Sequence, residues 1–173
     1  MATVRSTYPA TSTVAVTITL ASLASGSAGV YTSGREGAFI DNTTNRDIDH
    51  IIRGKIRTGT APTASRSINV YAFVPRSIAS GTATWPDTMT GADAARTLTS
   101  ANVMNGFLRL VASITIDSTS DRDYDFGGVS IASLFGGMPS AYGIYVAHDT
   151  GVALNATGAN HVIHYERTQG DVT

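Results

Sequence analysis

Hydrophobic and polar positions alternate most regularly in residues 13–20. Val14, Val16, Ile18 and Leu20 occupy every second position, and Thr or Ala fills the positions between them. Successive side chains of a β-strand leave opposite faces of the sheet, so a period of two predicts a half-buried strand here.

Similar patterns recur along the chain and predict eight strands. We expect them at residues 13–20, 38–42, 47–58, 66–74, 107–117, 123–127, 142–148 and 161–168. Clusters of Gly, Ser, Thr, Asn and Pro separate these segments and favour turns. The segment 107–117 has apolar residues on both faces, which predicts a central position in its sheet.

Short strands at close intervals, without alternating helices, predict an all-β fold. We expect an eight-stranded antiparallel two-sheet sandwich of jelly-roll (Greek-key) type. Residues 1–12 are expected to form an extended N-terminal arm, and residues 13–173 a single β-sandwich domain.

One long connection, residues 75–106, interrupts the strand pattern and contains the only tryptophan, Trp85. Residues 92–97 are expected to form a helical turn within it. Long connections in compact domains usually cover the body or carry function. Trp85 therefore either caps an open end of the sandwich or contacts a neighbouring protein.

Composition limits the classes of partner. The formal net charge is −1 and charged residues make up only 14% of the chain, which argues against nucleic acid as the main partner. No apolar run is long enough to cross a bilayer, and Thr and Ser interrupt residues 14–24 too often for a signal peptide. The absence of cysteine excludes disulfides.

Eleven of the twelve basic residues are arginine. This bias reflects either genomic base composition or a need for packed polar interfaces, because the planar guanidinium forms several hydrogen bonds at once. The second interpretation fits a protein that works in an assembly.

The densest acidic cluster contains Asp121, Asp123 and Asp125. Its spacing is similar to the start of a calcium-binding loop, but Phe126 stands where such a loop needs Gly and Ala132 where it needs a carboxylate. We therefore predict a charged sheet edge that discourages unwanted strand pairing, with a Ca²⁺ site as the alternative.

The four histidines do not form a recognisable metal or catalytic motif. His161 and His164 are three apart and face opposite sides of a strand, whereas His50 and His148 each precede or follow an aspartate, which is typical of surface pairs. The sequence leaves open whether His50, His148 and His164 converge. Since nucleophile elbows and phosphate loops are also missing, we predict no enzymatic activity and no cofactor.

Exposed aromatic residues could instead bind sugars by stacking. Tyr124, beside Asp123 and Asp125, is the best candidate for such a platform. The alternative function is therefore a carbohydrate- or receptor-binding β-sandwich module.

The C-terminal segments 142–155 and 161–165, together with the cysteine-free Ala/Thr/Ser/Gly-rich composition, resemble small virion proteins of tailed bacteriophages. The resemblance is confined to these segments and to composition, and it carries over no catalytic residue. It implies a β-rich structural protein on the capsid exterior or in the tail, made in the host cytoplasm. For the alternative function it implies a carbohydrate- or receptor-binding module of a phage tail or fibre.

Together, these features predict a capsid decoration or cement protein that stabilises the phage head by bridging subunits. The expected partners are the major capsid protein or other virion subunits and further copies of the chain, for example in a trimer, without nucleic acid or membrane. Tyr8, Pro9 and Trp85 are the predicted interface residues, because aromatic anchors dominate interface energetics.

Overall fold

A computed structural model describes residues 4–79 and 82–172. Antiparallel strands dominate this part of the chain. The strands are β1 (Val4–Thr7), β2 (Thr13–Ala15), β3 (Ser33–Glu36), β4 (Ile40–Asp41), β5 (Asp49–Arg57), β6 (Ser67–Phe73), β7 (Ser77–Ala79), β8 (Thr82–Thr84), β9 (Ala94–Thr97), β10 (Arg109–Thr115), β11 (Asp123–Ser130), β12 (Ala141–His148) and β13 (Val162–Val172). The two short α-helices are α1 (Ala101–Phe107) and α2 (Ile131–Phe135).

Most strands belong to two sheets that face each other. The first sheet has the order β1-β13-β5-β11, and β2 also pairs with β13 beyond the end of β1. The second sheet has the order β10-β6-β12-β3-β9, and β4 also pairs with β12. Strands β7 and β8 form a separate two-stranded ribbon.

The main hydrophobic core lies between the two sheets. The first sheet contributes Ile52, Ile56 and Ile163, which pack with residues such as Val70 and Ile144 of the second sheet. This sandwich-like all-β architecture agrees with the sequence prediction. The alternation in residues 13–20 is confirmed as well, although only Thr13–Ala15 has strand pairing.

A second core covers the outer face of the second sheet. All eight residues of β12 are buried, so both faces of this strand are covered. Tyr142 packs into the core between the sheets, whereas Tyr145 packs on the outer side with Met89 and Leu98. The long connection thus forms a layer over the second sheet and provides its outer hydrophobic contacts.

The predicted number of strands is wrong, because the described residues contain thirteen strands and not eight. Each predicted strand has a counterpart, and the additional ones are β1, β3, β7, β8 and β9. These are at most four residues long and rich in Ser, Thr, Ala and Arg. They are held by main-chain pairing and carry no clear apolar alternation by which the sequence could reveal them.

Strand β10 is an edge strand and not the predicted central one. Its pairing with β6 shifts between Leu110 and Ala112, which marks a β-bulge at Val111. The bulge turns Val111 into the core and leaves Leu110 49% exposed. Both faces therefore carry apolar residues because the register changes, and not because both faces are buried.

The predicted helical turn at residues 92–97 is also wrong, since Ala94–Thr97 is strand β9. The helix α1 begins after Ser100, whose hydroxyl oxygen accepts a hydrogen bond from the backbone N–H of Val103. Serine is among the preferred residues at this capping position.

Candidate functional site

The predicted interface residues Tyr8 and Pro9 lie in a loop at the margin of the first sheet. The loop joins β1 to β2, and both strands pair with β13. The Tyr8 side chain is 66% exposed, and Pro9 is half-buried. Residues 1–3 of the predicted arm lie outside the described residues, and residues 4–7 pair with β13.

Trp85 lies in the covering layer and packs against the outer face of the second sheet. Its ring centroid is 5.5 Å from that of Phe73 and 5.6 Å from that of Phe39. Gly91 allows close contact, since a Cβ atom there would lie 2.6 Å from the indole ring. The half-buried Trp85 and the 44% exposed Phe39 thus form a small aromatic patch that reaches solvent.

A buried carboxylate holds the covering layer in place. Glu36 of β3 is inaccessible to solvent and accepts hydrogen bonds from the backbone N–H groups of Thr90 and Gly91. Its second oxygen accepts a 2.6 Å hydrogen bond from Nε of Arg96 on β9. A buried charge is tolerated only when it is paired and hydrogen-bonded, and this one joins the layer to the sheet beneath it.

The acidic cluster does not form the arrangement of three carboxylates along one strand face. Asp121 lies in the turn before β11, with φ at 54°, and its carboxylate accepts from the Asn155 amide at 2.7 Å. Asp123 accepts from Arg57 at 2.6 Å and from Lys55 at 3.1 Å, and Arg57 lowers the pKa of Asp123 to about 2. Asp125 is exposed opposite Lys55 on the edge strand β11.

Tyr124 does not stand out from the surface as a stacking platform. Its ring packs against the main core. Its hydroxyl donates to the Asp117 carboxylate at 2.8 Å and accepts from the Asp117 backbone N–H at 3.0 Å. The side chain proposed for sugar stacking is therefore engaged in contacts within the chain.

The predicted surface pairing of His50 and His148 is wrong, because both imidazoles are buried. Nε2 of His148 lies 3.0 Å from the carbonyl oxygen of Leu23, and Nδ1 lies 3.0 Å from the hydroxyl of Thr150. Burial lowers the pKa of His148. The structure places His164 on the outer side of β13, and the three histidines do not converge.

His50 belongs to a buried polar cluster that the sequence did not predict, which we call the Asp47 cluster. Nε2 of His50 lies 2.8 Å from Oδ2 of Asp47, and Nδ1 lies 2.9 Å from the hydroxyl of Tyr142. Arg167 donates to both carboxylate oxygens of Asp47, at 2.7 and 3.1 Å. The His50 ring also stacks on Tyr165, with centroids 4.4 Å apart.

The protonation states in the Asp47 cluster follow from these contacts. Burial opposes ionisation of Asp47, but hydrogen bonds from Arg167 and His50 outweigh it and lower its pKa to about 2. The carboxylate must therefore accept from Nε2–H of His50, and Nδ1 accepts from the Tyr142 hydroxyl. Burial lowers the pKa of His50 and raises that of Tyr142 well above its ordinary value.

The hydrogen-bonded chain Asp47–His50–Tyr142 resembles a catalytic relay, but here it connects structural elements. His50 lies on β5 of the first sheet and Tyr142 on β12 of the second, while Arg167 lies on β13. Asp47 and Tyr142, the two hydrogen-bond partners of the His50 ring, are almost fully buried. Their polar atoms therefore face His50 and not a substrate. The cluster therefore ties the two sheets together at one end of the sandwich.

The only sequence signal for this cluster is the spacing of Asp47 and His50. The sequence predicts a pair of His50 with its neighbour Asp49, but the Asp49 carboxylate accepts from the backbone N–H groups of His50 and Ala132. Asp47 is held in position by Asn42, whose amide group bonds both backbone groups of Asp47. Tyr142 and Arg167 are remote in sequence, and no local pattern connects them to His50.

The arginine bias has an explanation within the chain. Ion pairs to Asp or Glu involve the seven arginines Arg35, Arg53, Arg57, Arg66, Arg96, Arg122 and Arg167. Those to Glu36 and Asp47 are buried or nearly so and organise the fold. Two of the arginines, Arg57 and Arg167, donate to both oxygens of one carboxylate.

Among residues 4–79 and 82–172, no three His, Asp or Glu side chains are grouped so that they could hold a metal ion. None of the helices in this described part is long and apolar enough to cross a membrane. Comparison with protein-family models, with curated proteins and with solved structures gave no match.

Proposed function

We propose that this chain is a non-enzymatic virion protein of a tailed phage, a capsid decoration or cement subunit with a jelly-roll body. It would act on the capsid exterior, where it bridges neighbouring subunits of the major capsid protein and assembles with further copies of itself, for example as a trimer. Rupture of the head would then first have to break these contacts.

The observation that carries the proposal is the Tyr8 loop. It presents a large aromatic side chain, 66% exposed, from a backbone that is paired on both sides with β13. A tyrosine side chain has only two rotatable χ angles and loses little conformational entropy when a partner buries it, and such residues are enriched among interface hot spots. The Phe39–Trp85 patch offers a second contact of this kind.

The construction of the body supports a passive role. Its buried carboxylates, Glu36, Asp47 and Asp149, are bound by partners from the same chain. The contacts of Glu36 and Asp47 join one layer to another. Such contacts resist deformation of the sandwich. A subunit that bridges its neighbours needs a rigid body and exposed aromatic residues at its margin, and this chain has both.

Binding to the particle tests the proposal. The purified chain is incubated with heads, free of this protein, from the phage that encodes it, and co-sedimentation is measured. We expect the full chain to bind and a chain lacking residues 2–12 to unfold cooperatively but to remain in the supernatant. If the full chain does not bind, the proposed function is wrong, and if the truncated chain binds normally, the Tyr8 loop is not the contact.

A single substitution refines this test. Tyr8→Ser should weaken binding, since it removes the exposed anchor without disturbing the core. Val162→Ser is the matched control, because Val162 is also exposed, at 43%, but lies on β13 away from the loop. Equal loss of binding for both variants would contradict a specific role for Tyr8.

A further inference from the structure

Strands β1 and β2 lie along the same edge of the first sheet, and a five-residue loop interrupts them. Strand β1 pairs with the end of β13, from Val4↔Val172 to Thr7↔Gln169. Strand β2 continues along the same edge, from Thr13↔Glu166 to Ala15↔His164. The five residues 8–12 thus lie opposite only two, Arg167 and Thr168. The edge strand carries three more residues than the pairing needs.

The last residues of β13 lie beyond the body of the sheet. Strand β5 pairs with β13 as far as Thr168↔Asp49. In the described residues, Gln169–Val172 then pair only with β1, so the two segments form a two-stranded ribbon. A ribbon of two strands is at best marginally stable in water. In the described residues, β1 is held by main-chain hydrogen bonds to β13 alone. Its Ser6 side chain is exposed.

We propose that β1 exchanges between copies of this chain, so that β1 of one copy pairs with Gln169–Val172 of a second copy. The edge of β13 already accepts this strand in a defined antiparallel register. An identical strand from another copy forms the same hydrogen bonds, so exchange costs little beyond the rearrangement of the loop. The partner that this edge selects is therefore a second copy of the chain.

The loop 8–12 has the properties of a hinge for this exchange. Its three extra residues are slack in the closed form, and five extended residues span roughly 16–18 Å, which is enough to carry β1 off its own sheet. Pro9 favours an extended backbone for itself and for Tyr8. The far end stays fixed, since the carbonyl oxygen of Ser12 accepts from the backbone N–H of Arg167 at 2.8 Å.

In a two-fold dimer each interface patch meets its own copy, so the two hinges run close together where the copies meet. This inference concerns the isolated chain and does not depend on binding to a phage head. If the exchange is not observed, the proposed function is unaffected. If the chain does not bind to heads, the proposed exchange is unaffected.

Disulfide trapping between two different chains tests the exchange, and the chain contains no cysteine that could interfere. One chain carries Ser6→Cys, and a tagged, longer chain carries Gly170→Cys, because Ser6 and Gly170 are opposite each other. The two are mixed in urea, refolded together and oxidised. We expect a covalent heterodimer on a non-reducing gel, since the two cysteines meet only if β1 has crossed between chains.

Two further pairs make the result decisive. Thr7→Cys with Gln169→Cys repeats the test one position along, because opposite pairs alternate between hydrogen-bonded and non-hydrogen-bonded geometry. Thr13→Cys with Glu166→Cys is the control on β2, which stays on its own chain. The inference is overturned if neither β1 pair gives more heterodimer than the β2 control. It is also overturned if Ser6→Cys and Gly170→Cys on one chain form only an internal disulfide at every protein concentration.

Discussion

At the scale of single residues, neighbouring positions on β10 have opposite environments. Val111 is buried in the main core, while Leu110 is 49% exposed on the outer side. The β-bulge at Val111 decides which of them faces inward, because Val111 has no partner on β6 and the inward and outward positions of the strand exchange there. Strict alternation along residues 107–117 would put Leu110 on the same face as Ala112 and Ile114, which pack against the main core.

Substitution by threonine distinguishes these two positions. Val111→Thr keeps the shape but buries a hydroxyl group, and we expect it to lower the free energy of unfolding by about 1–3 kcal/mol. Leu110→Thr should change it by no more than about 0.5 kcal/mol, as is usual for surface substitutions. Urea unfolding measures both values. A larger loss for Leu110→Thr than for Val111→Thr would contradict the bulge.

At the scale of elements, the strands that the sequence revealed are those whose packing requires an apolar period. Strands β5, β6 and β12 contribute half of the buried residues of the main core, and all three were predicted within a few residues. Strands β3 and β9 were missed, since Glu36 and Arg96 stabilise them through a buried ion pair and not through apolar alternation. The Asp47 cluster was missed because its members come from three segments that are remote from one another in sequence.

The Glu36 contacts predict how the covering layer responds to a change in charge. Glu36→Gln removes the acceptor of a charged hydrogen bond from Arg96, and such bonds contribute about 1.5–3 kcal/mol to stability. We expect a lower free energy of unfolding. We also expect a red shift of the emission of Trp85, the only tryptophan, because the attachment of its layer to β3 is weakened. The amide oxygen of Gln can still accept from Thr90 and Gly91, but its NH2 group cannot accept from Arg96.

The matched control for this prediction is Glu166→Gln. It makes the same change in an exposed ion pair with Arg53 on the first sheet. Exposed pairs contribute at most about 1 kcal/mol, so this variant should keep most of the stability and the emission of Trp85 unchanged. An unshifted Trp85 spectrum in Glu36→Gln would show that the carboxylate does not hold the layer.

At the scale of the whole molecule, buried histidines and paired aspartates couple the fold to pH. Burial lowers the pKa values of His50, His148 and His161 below their ordinary value of 6.5. Below that value the unfolded chain takes up protons that the folded chain does not, so the free energy of unfolding falls as the pH decreases. The pKa values of Asp47 and Asp123 are about 2, against 3.8 ordinarily, so a second loss follows between pH 3.8 and 2.

We therefore expect the midpoint of thermal unfolding to be highest near neutral pH and to decrease in two stages on acidification. His50→Gln preserves an acceptor for the Tyr142 hydroxyl and a donor for Asp47, but it cannot be protonated in this range. This variant should show a shallower decrease in the first stage and retain the second, because Asp123 and its partners are unchanged. Circular dichroism melts at pH intervals from 7 to 2 measure both stages. A midpoint that stays constant or rises as the pH falls from 7 to 5 would mean that these imidazoles are not held neutral between the sheets.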